Sequence, residues 1–131
     1  MKAWRLCLAV GVGMAAACPA FAHHSFAMFD RTREVVLNGT VHQFQWTNPH
    51  SWIQLDVLTD KGQVDSYAVE MNSPNNLARQ GWKSSSLKAG DKVAVAINPV
   101  RDGAKGGLFI AVTQADGHVL GDAAHAPPKP N

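Results

Sequence analysis

The chain has 131 residues, with 12 lysines and arginines against 10 aspartates and glutamates, 6 histidines, 2 cysteines and 46% apolar residues. That length holds one small domain with appendages and excludes a large multidomain enzyme. Both cysteines, Cys7 and Cys18, fall inside a stretch that reads as a targeting segment rather than as part of a fold.

That segment has a positive start (Lys2, Arg5), an almost wholly apolar run from Leu6 to Ala17, and the small-residue pattern Ala20-Phe21-Ala22. These are the three parts of a secretory signal peptide, so residues 1–22 are expected to be removed and the mature chain to begin at His23. Cleavage after Ala20 is the nearest alternative. Lipidation at Cys18 is a third, with Ala15 standing where leucine is usual and Pro19 following. The apolar run is too short for a permanent transmembrane span, and no later stretch is long enough. The expected product is periplasmic or secreted, has 10 charges of each sign and contains no cysteine. Such a domain must be held by its core, by partners or partly by a metal.

Residues 23–34 read as an extended arm. The run Val35 to Trp46 follows as a long strand, with Gly39 marking a bulge or bend, and Asn48-Pro49 ends it and offers His50 at a turn. Ile53, Leu55 and Val57 alternate in a second strand, and Asp60-Lys61-Gly62 turns the chain into a third, Val64 to Met71, in which Tyr67, Val69 and Met71 share a face. Ser73-Pro74 is an N-cap signature, and with Gly81 at the far end it predicts one short helix over residues 74–80. A turn at Leu87 to Asp91 leads into Val93, Val95 and Ile97. Leu108, Ile110 and Val112 form a fifth strand, and Asp116-Gly117 turns the chain into a short return strand, His118 to Leu120. The Pro/Ala-rich tail, residues 121–131, has too little apolar surface to order itself. Five strands with a helix between the third and fourth predict an all-β, OB-like Greek-key barrel over residues 35–120, with a small β-sandwich as the alternative.

The segments His23-His24-Ser25-Phe26-Ala27, Phe29-Asp30, Trp46-Thr47-Asn48-Pro49-His50-Ser51-Trp52, Ser73-Pro74, Gly81-Trp82 and Leu87-Lys88-Ala89-Gly90-Asp91 resemble those of an exported bacterial family catalogued as a domain of unknown function, family 6152. The resemblance covers nearly the whole mature chain. It implies export and a compact β-domain and brings no activity, cofactor or catalytic residue.

Function must therefore be read from chemistry. A mature N-terminal His23 chelates through its free amine and its ring together, and the amine titrates at about pH 7.7–8.0, so a metal can displace its proton near neutrality. One more imidazole completes the nitrogen-rich tetragonal set that Cu(II) favours; His50 is the first choice for it and His42 the second. His24 joins if the terminus is turned. Met28 and Met71 offer thioethers suited to Cu(I), with nothing in their spacing to place them at the site. Against this stands the plain reading in which the terminal histidines are solvated and His50 only braces its turn. No compact metal motif is present.

A competing class is a non-metal module that engages a small ligand or an envelope protein through Trp46, Trp52 and Asn48, although aromatic residues on strands more often pack a core, and Trp82 is expected to plug the barrel. Nucleic acid is not an expected partner, because the mature chain has no net positive charge and no basic cluster beyond Arg101 and Lys105. An enzyme is not expected either. Ser25, Ser51, Ser66 and Ser84-Ser85-Ser86 sit in no nucleophile pattern, and Asp56 and Glu70 are read as solvated or paired with lysine or arginine.

Overall fold

Strand β1, Val35–Gln45, is bent across the middle of the domain. Its first half, Val35 to Thr40, pairs antiparallel with β4, Lys92–Pro99, and its second half, Thr40 to Gln45, with β2, Trp52–Leu58. Gly39 stands at the handover. A Cβ there would come within 2.6 Å of the Asp56 carbonyl oxygen and 2.9 Å of Leu55 Cγ, so the strands approach more closely than any side chain allows. The glycine marks the bend, and the register irregularity falls at its neighbour His42, between Val41 and Gln43. The computed structural model describes residues 26–131; the secretory segment, His23, His24 and Ser25 lie outside the described residues.

Strand β3, Val64–Glu70, continues antiparallel to β2, and β5, Gly106–Gln114, runs antiparallel to β4. The ring closes where Ala68 to Glu70 of β3 lie parallel to Gly106 to Leu108 of β5. One five-stranded sheet closed on itself in the order β1-β2-β3-β5-β4 is an OB-type Greek-key barrel. This closure sets the sandwich aside. A further strand, β6 (Val119–Gly121), extends the sheet from β5.

Helix α1, Pro74–Arg79, lies between β3 and β4, where the capping pattern places it. The Ser73 hydroxyl accepts from the Asn76 amide at 3.4 Å, and Pro74 occupies a first-turn position whose amide has no helical partner to lose. The alternating strand residues Ile53, Leu55, Val93, Val95 and Val112 are fully buried inside the ring. Trp82, just past the helix, plugs one end of the barrel, with its ring 5.8 Å from Phe44 and 5.4 Å from Phe109. Its Nε1 and the Ser51 hydroxyl are buried without a hydrogen-bond partner among the described residues.

Both ends of the chain depart from expectation. The tail, read as unordered, forms a one-turn 3-10 helix at Ala123–His125 and then buries Pro127, whose carbonyl accepts from the Thr113 hydroxyl at 2.6 Å. Prolines have little conformational freedom to lose on ordering, so one buried ring and one hydrogen bond outweigh the tail's poverty in apolar residues. The arm, read as extended, begins with a 3-10 turn at Phe26–Met28, after which Phe29 is buried and bridges to Val100. Among the described residues no helix is long and apolar enough to cross a membrane.

Candidate functional site

Beyond Glu70 and Leu108 the parallel strands β3 and β5 separate, β3 running on into Met71 and Asn72 and β5 into Phe109 and Ile110. The gap is a cleft of about 350 Å³. Its walls are largely apolar, from Phe26, Met71, Leu77, Leu108 and Ile110, and its polar groups include His50, Glu70, Gln80 and Asp122.

His50 is held there by backbone pairing on both sides. The Thr47 hydroxyl donates to the His50 carbonyl at 3.0 Å, and the Asn48-Pro49 peptide between them is cis. The next residue, Ser51, is fully buried; its amide donates to the Asn72 carbonyl at 3.0 Å, and its carbonyl accepts from the Met71 amide at 2.9 Å. The loop is thereby pinned to the end of β3, and His50 Nδ1 meets the Glu70 carboxylate in an ion-pair contact. The Glu70 side chain is only 8% exposed and that of His50 39%. Reading Glu70 as a solvated carboxylate or a lysine or arginine partner is corrected: its partner is a histidine and it is buried. Donation from Nδ1 to the carboxylate leaves Nε2 as the lone-pair nitrogen, and Nε2 has no partner among the described residues. Histidines that bind metals are commonly buttressed in this way, the carboxylate fixing tautomer and ring orientation.

His42 is placed elsewhere. It stands at the β1 irregularity, 68% exposed, with Nδ1 3.2 Å from Asp56, whose other oxygen accepts from the Ser66 hydroxyl at 3.2 Å. It does not line the His50 cleft. Trp46 is partly buried and packs edge to face on Phe44 at 5.8 Å, Trp52 is half-buried on β2, and Asn48 is exposed; none of the three lines the cleft. Met71 lines it and is buried, while Met28 stays on the arm. Among the described residues no group of three or more His, Cys, Asp or Glu gathers to hold a metal ion. A metal at His50 would draw further donors from outside them.

The cleft has a second titrating neighbour. Asp122, on its rim, caps the last 3-10 turn and contacts His125 Nδ1 at 2.9 Å. That hydrogen bond, then the charge of Asp122 and that of Glu34, raises the His125 pKa above the ordinary histidine value. The same hydrogen bond, with one from the Ala124 amide, lowers that of Asp122. Asp122 and Phe26 were not read as site residues, since each reaches the cleft from a chain end that the sequence pattern leaves unplaced.

The closed ring and the cleft together define a small OB-type barrel with a histidine–carboxylate pair set where two parallel strands part. The chain belongs to DUF6152, a family of unknown function whose pattern matches residues 12–111. No curated protein and no solved structure matches the chain.

Proposed function

We propose that the protein is a small exported binding domain that takes up one Cu(II) ion through His50 Nε2 together with the amine and ring nitrogens of a mature N-terminal His23. One observation carries this reading: Phe26, the first described residue, lines the same cleft as the Glu70-buttressed His50. Three residues bring the chain from Phe26 back to His23, a reach of at most roughly 11 Å. The terminal amine and imidazole and His50 then supply three nitrogens to one ion, a set that suits the tetragonal preference of Cu(II). His24 adds a fourth if the terminus turns. Signal cleavage creates the amine, so export and metal uptake become one event.

Protein carrying the authentic His23 terminus should bind one equivalent of Cu(II) with an EPR spectrum showing nitrogen coordination, and a methionine or tag placed before His23 should weaken binding. Equal uptake with and without the extension would refute the terminal chelate. His50→Ala should lower affinity while the fold is kept, and an unchanged affinity removes His50 from the site.

A further inference from the structure

Arg101 lies in the loop after β4, with its side chain 58% exposed, where a lone surface pair contributes little to stability. Its contacts nevertheless converge on one short stretch of the arm. Its backbone amide donates to the Met28 carbonyl at 2.9 Å, its Nε donates to the Ala27 carbonyl at 3.0 Å, and its Nη1 lies 3.9 Å from Asp30. The Asp30 amide in turn donates to the Pro99 carbonyl at 2.8 Å, and Phe29 between them is buried. Residues 27–30 are thus tied to the β4–β5 loop. Phe26, the next residue outward, stands at the His50 cleft.

We infer that Arg101 is a positioning residue for the proposed copper site, tying the arm through Ala27 so that the mature terminus leaves the barrel beside His50; this rests on the copper reading above. The physical reason is effective concentration. Two halves of a chelate on one chain meet more often the shorter the free tether between them, and for a flexible tether the local concentration falls with about the three-halves power of its length. With the tie in place the tether from Phe26 to His23 is three residues. Without the guanidinium the nearest remaining anchors are Met28 and buried Phe29, so the tether grows to five or six residues. Affinity should then fall roughly two- to threefold. The guanidinium touches neither the metal nor His50, and its contribution is carried wholly by where the arm is held.

The test is Cu(II) affinity by chelator competition in a cycle of variants. In protein with the native His23 terminus, Arg101→Ala should weaken Cu(II) roughly two- to threefold, and in protein with a residue added before His23 it should change nothing, because no terminal chelate remains to be placed. Arg101→Lys keeps a charge beside Asp30 but loses the Nε donor, so it should match Arg101→Ala; full recovery by lysine would overturn the tie. Inserting about six Gly/Ser residues between Ser25 and Phe26 lengthens the tether with Arg101 intact and should weaken Cu(II) about fivefold. If the insertion weakens binding and Arg101→Ala does not, the inference falls while the copper reading stands. If neither the terminal extension nor the insertion alters affinity, the copper reading falls and the inference with it.

Discussion

The first hairpin and the loop at its end carry two histidine–carboxylate pairs of nearly the same chemistry and very different surroundings. His42 and Asp56 face each other across β1 and β2 with side chains 68% and 34% exposed, whereas His50 and Glu70 meet at the end of β3 with 39% and 8% exposed. Water screens the first pair, so its attraction is weak and its side chains are free to leave. The second has a carboxylate that solvent hardly reaches and a histidine whose backbone is pinned at two adjacent residues. An imidazole held by its surroundings presents its free nitrogen in one direction, which is what a metal or ligand requires. Chemical type alone does not make a site; the packing behind it does.

The most severe way to break that contrast is to remove the packing. Phe109 lines the cleft and rests edge to face on Trp82 at 5.4 Å. Trp82→Ala should destabilise the domain by about 3–5 kcal/mol, the usual cost of emptying a large aromatic site. Trp82→Phe should cost much less than that, because the indole N–H has no hydrogen-bond partner among the described residues and its loss orphans nothing. Urea unfolding of the two variants checks the order. An equal loss in both would mean that the indole nitrogen is satisfied in solution.

A milder change separates the two pairs directly. Glu70→Ala removes the buttress and leaves a half-buried imidazole without its partner, at about 1–3 kcal/mol in stability and, by the usual weight of such a supporting carboxylate, about 10–100-fold in Cu(II) affinity. Asp56→Ala should change stability by less than about 1 kcal/mol and leave Cu(II) affinity where it was. Comparable losses of affinity in the two variants would show that burial of the carboxylate is not what distinguishes them.

The same contrast explains what could be read from the amino-acid order and what could not. Strand positions were legible because residues such as Ile53 and Leu55, or Val93, Val95 and Ile97, alternate with the period of a sheet buried on one side, and Ser73-Pro74 is a local capping signal. His50 was legible as a turn residue beside Asn48-Pro49. Its partner was not. Glu70 lies 20 positions further on, and the two meet only because Ser51 pairs with the end of β3, a contact set by barrel closure rather than by spacing. The one local hint was a carboxylate between Val69 and Met71, a placement that asks for a buried partner. The β1 irregularity fell at His42 rather than at Gly39 because bending and register shift are separate events, and only the bend requires the missing side chain.

A third pair gives the gentlest test, since its effect can be switched by pH alone. His125 and Asp122 hold the final 3-10 turn, and each shifts the other: His125 is raised by the hydrogen bond from Asp122, and Asp122 is lowered by the same bond. For His125 the stabilisation is fully present below the ordinary histidine pKa and is lost as pH rises through its raised value; for Asp122 it is present above the ordinary carboxylate pKa and is lost as pH falls through its lowered value. The pair therefore steadies the tail only between the two. Asp122→Asn should bring the His125 ring titration, followed by NMR, back down toward the ordinary histidine value, with the remaining charge of Glu34 preventing a full return. Amide exchange of Ala124 and His125 should be faster than in the parent protein inside that window and should converge with it at alkaline pH, once intrinsic exchange rates are divided out. Exchange that differs equally at every pH would assign the turn to the Asp122 cap on the Ala124 amide at 3.0 Å, and not to the ion pair.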